Sequence, residues 1–155
     1  MTDDSAAAPS PGTAADTLPG DSLPEWLDQY RSALDVKLGQ EILELSAERA
    51  VGRMPVEGNT QPVGYWHGGA TCVLAESLAS LAATAHGWPQ GKIALGVDIN
   101  ATHHRSAKSG WVTGTATALA LGSRVASYEV VLTDDSGSRI ATARLTCQLV
   151  RRPGA

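Results

Sequence analysis

Across residues 58–91 the chain carries a single Asp, Glu, Lys or Arg, Glu76, set in a run of small and apolar residues over 67–86. That run, closed by Gly87 and Pro89, reads as one long helix. A helix apolar over so much of its surface must be covered by another layer, and an ionised carboxylate in its middle is costly without compensation. At about 3.6 residues per turn, Cys72, Glu76, Ser80 and Ala83 share a stripe, so the Ser80 hydroxyl stands one turn from the carboxylate. A carboxylate and a hydroxyl facing one groove can hold a water between them. Alternatively, Glu76 binds a core backbone group or a cross-subunit Arg and only orients the fold.

The covering layer is legible downstream. Ile93, Leu95, Val97 and Ile99 alternate with Ala94, Gly96, Asp98 and Asn100, the period of a strand. Residues 111–121, 124–133 and 139–150 give three more strands, joined by the turn-forming Leu121-Gly122-Ser123 and Asp134-Asp135-Ser136-Gly137. Upstream, residues 39–56 are compatible with two strands around Ser46-Ala47-Glu48-Arg49, and Gly58-Asn59-Thr60-Gln61-Pro62 is a loop. Pro24, Trp26, Leu27, Tyr30 and Leu34 recur at helical spacing and predict one short amphipathic helix with its exit at Gly39. The sum is an α+β domain over 23–155, its long central helix packed on a curved antiparallel sheet of five to six strands. Residues 1–22, rich in Ala, Ser, Pro, Thr, Gly and Asp, read as a disordered tail.

A net charge of -4 and a pI near 5.5 argue against a nucleic-acid binder, so any polyanionic ligand must be met by a local cationic cluster. No apolar run is expected to span a bilayer, and the acidic start Met1-Thr2-Asp3-Asp4-Ser5 is unlike a secretory signal, which makes the cytoplasm the expected location. Cys72 and Cys147 fall in different elements without metal-type spacing and read as reduced thiols. No metal or redox cofactor is expected.

His67-Gly68-Gly69 opens the long helix, where unpaired N–H groups and the macrodipole attract developing negative charge. Acyl transfer requires a donor aimed at a carbonyl oxygen as it becomes an oxyanion, and the Gly68 N–H with the Gln61 side-chain amide are candidates. The glycines could equally serve helix entry alone, and His67 could be a neutral capping residue or a hydrogen-bond donor.

Gln61-Pro62 leading to His67-Gly68-Gly69, followed by Ala75-Glu76-Ser77 and Ser80, resembles the active-site helix of hotdog-fold thioesterases. The resemblance is to the 4-hydroxybenzoyl-CoA and phenylacetic-acid type, in particular the branch with the 1,4-dihydroxy-2-naphthoyl-CoA thioesterases of menaquinone synthesis. Two further blocks carry it: Gly96-Val97-Asp98-Ile99-Asn100-Ala101-Thr102-His103-His104-Arg105-Ser106-Ala107, and Leu119-Ala120-Leu121-Gly122-Ser123-Arg124. Together they extend over about 61–150.

The resemblance implies a hotdog fold and a homodimer, paired into a tetramer, that hydrolyses acyl-CoA. Its active site is shared, with Gln61, His67 and Gly68 of one subunit facing Glu76 and Ser80 of the other. Glu76 is then either nucleophile or general base. It further implies that His103, His104, Arg105 and Ser106, with Ala120, Leu121, Gly122, Ser123 and Arg124, meet the CoA tail. Leu81 and Gly96 would line the pantetheine channel, and Tyr65 and Trp66 the acyl pocket. Arg105 and Arg124 are otherwise ordinary solvated strand-end charges.

Enteric relatives tend to carry His where this chain has Ala120 and another polar residue where it has Val125, which puts the arrangement of the tail site in question. Beside hydrolysis of an aromatic acyl-CoA stand two alternatives, a broad-specificity housekeeping or proofreading thioesterase and a non-catalytic acyl-CoA sensor. The sensor is expected to carry a partner domain. A hotdog dehydratase is disfavoured because the helix lacks a paired Asp and His.

Overall fold

The structure, a computed structural model, describes residues 23–154, so the tail expected over 1–22 lies outside the described residues. Six strands form one antiparallel sheet: β1 (Glu41–Leu45), β2 (Arg49–Pro55), β3 (Lys92–His103), β4 (Trp111–Leu121), β5 (Val125–Thr133) and β6 (Arg139–Arg151). Their spatial order is β1-β2-β4-β5-β6-β3. The helices are α1 (Ala33–Lys37) and the central α2 (Gly68–Gly87), which lies along the inner face of the sheet. This is the expected α+β hotdog architecture.

The α2 sequence explains how it packs. Leu74, Ala75, Leu78, Ala79, Ala82 and Ala83 are buried, whereas Val73, Glu76, Ser77, Ser80 and Leu81 are half-buried, a two-on, two-off alternation that follows the helical turn. The stripe of Cys72, Glu76 and Ser80 continues to Thr84, which is buried but lines the same cleft as Glu76 and Ser80, and Ala83 belongs to the core. Small side chains bring the helix backbone close to the sheet. Facing it, a Cβ at Gly52 would come within 2.8 Å of Leu78 Cδ2 and one at Gly114 within 2.7 Å of Leu78 Cδ1, so these two glycines form the slot that Leu78 fills. Register shifts place an extra residue in β1, β3, β4 and β6, and these bulges bend strands and help the sheet curve around the helix.

The structure corrects three expectations. The helix predicted from Pro24 is broken into a 3-10 helix (Glu25–Tyr30) and α1, because Arg31 and Ser32 are extended and the Ser32 hydroxyl caps α1 by accepting from the Asp35 N–H. The long helix ends at Gly87, as the sequence suggests. A 3-10 turn (Trp88–Gln90) follows it, with Pro89 in its first turn, and the exit is Gly91 at φ +67°.

Strict alternation in β3 fails at a bulge between Gly96 and Asp98. Gly96, before it, faces the helix, so Leu95 and Val97 point outward and are exposed, at 52% and 59%, whereas Ile99 beyond it packs on the core. Finally, Gly68–Gln90 is long and apolar enough to cross a membrane by length and composition, because its many alanines raise hydropathy without forming a continuous run of large side chains. Half of that window is buried within the fold.

Candidate active site

Glu76 projects from the half-buried face of α2 onto β3. A Cβ at Gly96 would overlap the Glu76 carboxylate, so glycine at this point of the bulged strand leaves the space that the carboxylate occupies. Burial raises the Glu76 pKa above its usual value, opposed by a hydrogen bond from the Ser80 hydroxyl. The Ser80 Oγ also lies 3.9 Å from the Sγ of the buried Cys147. Both cysteines are free thiols, as the sequence suggests.

Glu76, Ser80 and Leu81 open into a cleft of about 340 Å³ whose far wall is the N-terminal strap, through Tyr30, Leu34 and Asp35. Ser77 Oγ donates to Asp35 Oδ1 at 2.7 Å. Sequence reasoning missed this wall. Its anchor is an aromatic cluster: Trp26 stacks on Trp88 at 4.8 Å, Tyr30 meets both rings edge-on, and the Arg152 guanidinium lies 3.8 Å from the Trp88 ring centroid. The i, i+4 spacing of Trp26 and Tyr30 was the only local signal, and their partner Trp88 is remote in sequence.

The start of α2 forms a second, separate cleft. His67 is the N-cap: its Nδ1 accepts from the Gly69 N–H at 2.8 Å, and its carbonyl accepts from Ala70 and Thr71. An accepting Nδ1 leaves Nε2 to carry the proton of the neutral ring. The Gly68 N–H is left without a partner among the described residues. Gly68 lies in a cleft of about 510 Å³ with Gln61, Trp66, His103, His104, Arg105 and Ser106.

His103 covers Gly68 so closely that a Cβ there would be 3.0 Å from its Nε2. Trp66 is fixed by its indole N–H to Thr71 Oγ1 at 2.7 Å and its backbone N–H to Ala107 O at 2.8 Å. Tyr65 instead lies beside Lys108.

The structure thus brings Gln61, Gly68 and the His103-to-Ser106 block together, and separately Glu76, Ser80, Leu81 and Gly96. It does not join the two groups. Gly68 and Glu76 are about 12 Å apart along the helix axis. The third group, Ala120, Leu121, Gly122, Ser123 and Arg124, sits by the opposite end of α2. There the His86 ring meets Gly122 O at 3.0 Å and Lys92 Nζ donates to Ser123 O at 2.6 Å. Arg124 is exposed, and Lys92 is a cation beside it that the motif reading did not include.

Residues 63–141 match the family model of the thioesterase superfamily. The proofreading thioesterase EntH of Klebsiella pneumoniae is 42% identical over 112 residues, which are 70% of this chain and 79% of that protein. Among solved structures, a thioesterase of Haemophilus influenzae superposes with a TM-score of 0.77 at 32% identity, covering 85% of this chain and 93% of its own. A mutant thioesterase of Pseudomonas aeruginosa does so with a TM-score of 0.77 at 32% identity, covering 85% and 96%.

Proposed function

The chain belongs to the thioesterase superfamily and is a thioester hydrolase, and from that premise we propose that it cleaves acyl-CoA to the free acid and CoA with Glu76 as its catalytic carboxylate. The observation that carries this reading is the setting of Glu76, the one charged side chain across residues 58–91, held over Gly96 beside Ser80 and open to a cleft. Its partners are the Gly68 N–H and the Gln61 amide of a second subunit, which polarise the thioester carbonyl, with His67 ordering the helix start. Glu76 then attacks the carbonyl carbon or takes a proton from water held with Ser80, and either route requires it ionised. The exposed edge of β3, with Leu95 and Val97, supports pairing between subunits. Two such dimers form the tetramer.

The His103-to-Ser106 block and the β4–β5 turn with Arg124 meet the phosphates of the CoA tail. The acyl group is aromatic, with 1,4-dihydroxy-2-naphthoyl-CoA the first substrate to try, in a cytoplasmic reaction that uses no metal or redox cofactor. Likeness to the Klebsiella enzyme favours a second reading, proofreading hydrolysis of several acyl-CoA or acyl-carrier-protein thioesters.

Thiol release from benzoyl-, naphthoyl- and aliphatic CoA thioesters tests both. Glu76→Gln and Glu76→Ala are expected to lose about a hundredfold or more in kcat. Because burial raises the Glu76 pKa, the acid limb of kcat/KM should lie above the usual glutamate value, with activity lost as pH falls through it. Unchanged turnover in both variants would overturn the assignment. Tight CoA binding without turnover of any thioester would identify a sensor.

A further inference from the structure

Two side chains from other elements grip the β4–β5 turn. In the last turn of α2, His86 Nε2 lies 3.0 Å from the Gly122 carbonyl oxygen, and at the start of β3 the Lys92 Nζ donates to the Ser123 carbonyl at 2.6 Å. A carbonyl oxygen can only accept, so the His86 Nε2 carries the proton. Gln90, between them in sequence, accepts from Lys92 Nζ at 3.2 Å and donates to the His86 carbonyl at 3.4 Å, which joins the two grips.

Their effect follows from peptide geometry. None of the described peptide bonds is cis, and in a planar trans peptide the C=O and the following N–H point in opposite directions. Fixing the Gly122 carbonyl toward His86 therefore turns the Ser123 N–H away from the end of α2. Fixing the Ser123 carbonyl toward Lys92 does the same to the Arg124 N–H. Neither N–H has a hydrogen-bond partner among the described residues, and both residues are exposed. The rest of the turn is satisfied: the Gly122 N–H donates to Val125 O at 2.9 Å, and Arg124 O accepts from the Leu149 N–H at 2.8 Å. A Cβ at Gly122 would stand 2.8 Å from the Val125 oxygen, so glycine permits that closure.

We propose that His86 and Lys92 are positioning residues for CoA binding: by holding two successive carbonyls of the β4–β5 turn, they present the N–H groups of Ser123 and Arg124 as a donor pair for a CoA phosphate. Phosphate oxygens only accept, and adjacent outward N–H groups are suited to them. The inference rests on the reading of this turn as part of the CoA-tail site.

The test uses the best acyl group from the thioester screen, carried either on CoA or on pantetheine, which lacks the nucleotide phosphates. His86→Leu and Lys92→Met keep bulk and lose the donor, whereas His86→Gln keeps an uncharged N–H. In the full chain, the Leu and Met variants are expected to raise KM for the CoA thioester about three- to tenfold with kcat little changed. Both constants for the pantetheine thioester should stay at wild-type values, because the turn meets only the part that pantetheine lacks. His86→Gln should keep most of the wild-type KM, which separates the donor from the charge.

Equal losses on both carriers would reveal a merely structural role and overturn the proposal, as would a Gln variant no better than Leu. Should His86→Leu fail to fold, Lys92→Met against Lys92→Arg, which keeps a donor, decides. Arg124→Ala separates the two readings. If it leaves KM for the CoA thioester unchanged, the CoA-tail reading of the turn falls and the positioning role with it; if it raises KM while the His86 and Lys92 variants do not, only the positioning role falls.

Discussion

At the scale of single residues, the site depends on what is absent as much as on what is present. Gly96 provides the clearance in which the Glu76 carboxylate rests, and a methyl group there would meet that carboxylate. Gly96→Ala should therefore leave the fold cooperative while displacing the carboxylate, with kcat falling about ten- to a hundredfold because small misplacements of a reacting group carry large rate penalties. Steady-state kinetics beside a thermal melt check this, and wild-type kcat with an unchanged melt would show that the carboxylate has room elsewhere. Glu76 itself is legible in the sequence, since an ionisable group in an apolar helix stands out. Gly96 is not legible in the same way. Its role follows from a bulge and from which residue crosses above it, and both are properties of pairing between distant segments.

At the scale of elements, strands and the long helix are legible because each has an internal period, while the strap is not, because its form is set by contacts with the other end of the chain. Helical spacing over 24–34 predicts one helix, yet Ser32 caps a second one and Trp26 and Tyr30 pack on Trp88. Arg152 closes that cluster from beyond β6. The strap is thereby moored at two points, the aromatic cluster and the bond between Ser77 and Asp35, and the cleft wall lies between them. Trp26→Ala removes the first mooring. It should destabilise the fold by about 1–3 kcal/mol and, if acyl-CoA occupies this cleft, raise its KM severalfold while kcat changes less, since the wall lines the cleft through Tyr30, Leu34 and Asp35. Denaturant melts and saturation kinetics measure the two effects. A fall in kcat at unchanged KM would place the strap in the chemical step instead.

At the scale of the whole molecule, the fold keeps two clefts apart, and the proposed site residues are divided between them. The Gly68 N–H and Gln61 lie in one cleft, Glu76 and Ser80 in another, and the separation along α2 is too long for one thioester carbonyl to touch both. The sequence motif lists these residues as one set because it carries no information about which chain supplies each. Pairing two sheets through the β3 edge would cover Leu95 and Val97 and make each active site a joint product of two subunits, with two equivalent sites related by a twofold axis. A mixture of Gln61→Ala and Glu76→Ala proteins, each inactive alone, should then regain activity once subunits exchange. Every hybrid dimer contains one site with both defects and one with neither, so equal random mixing should restore about a quarter of the wild-type rate per subunit. Exchange is verified by mass spectrometry of differently tagged chains. Hybrids that form and remain inactive would show that each chain builds its site alone, and the two clefts would then have to be joined by movement within one subunit.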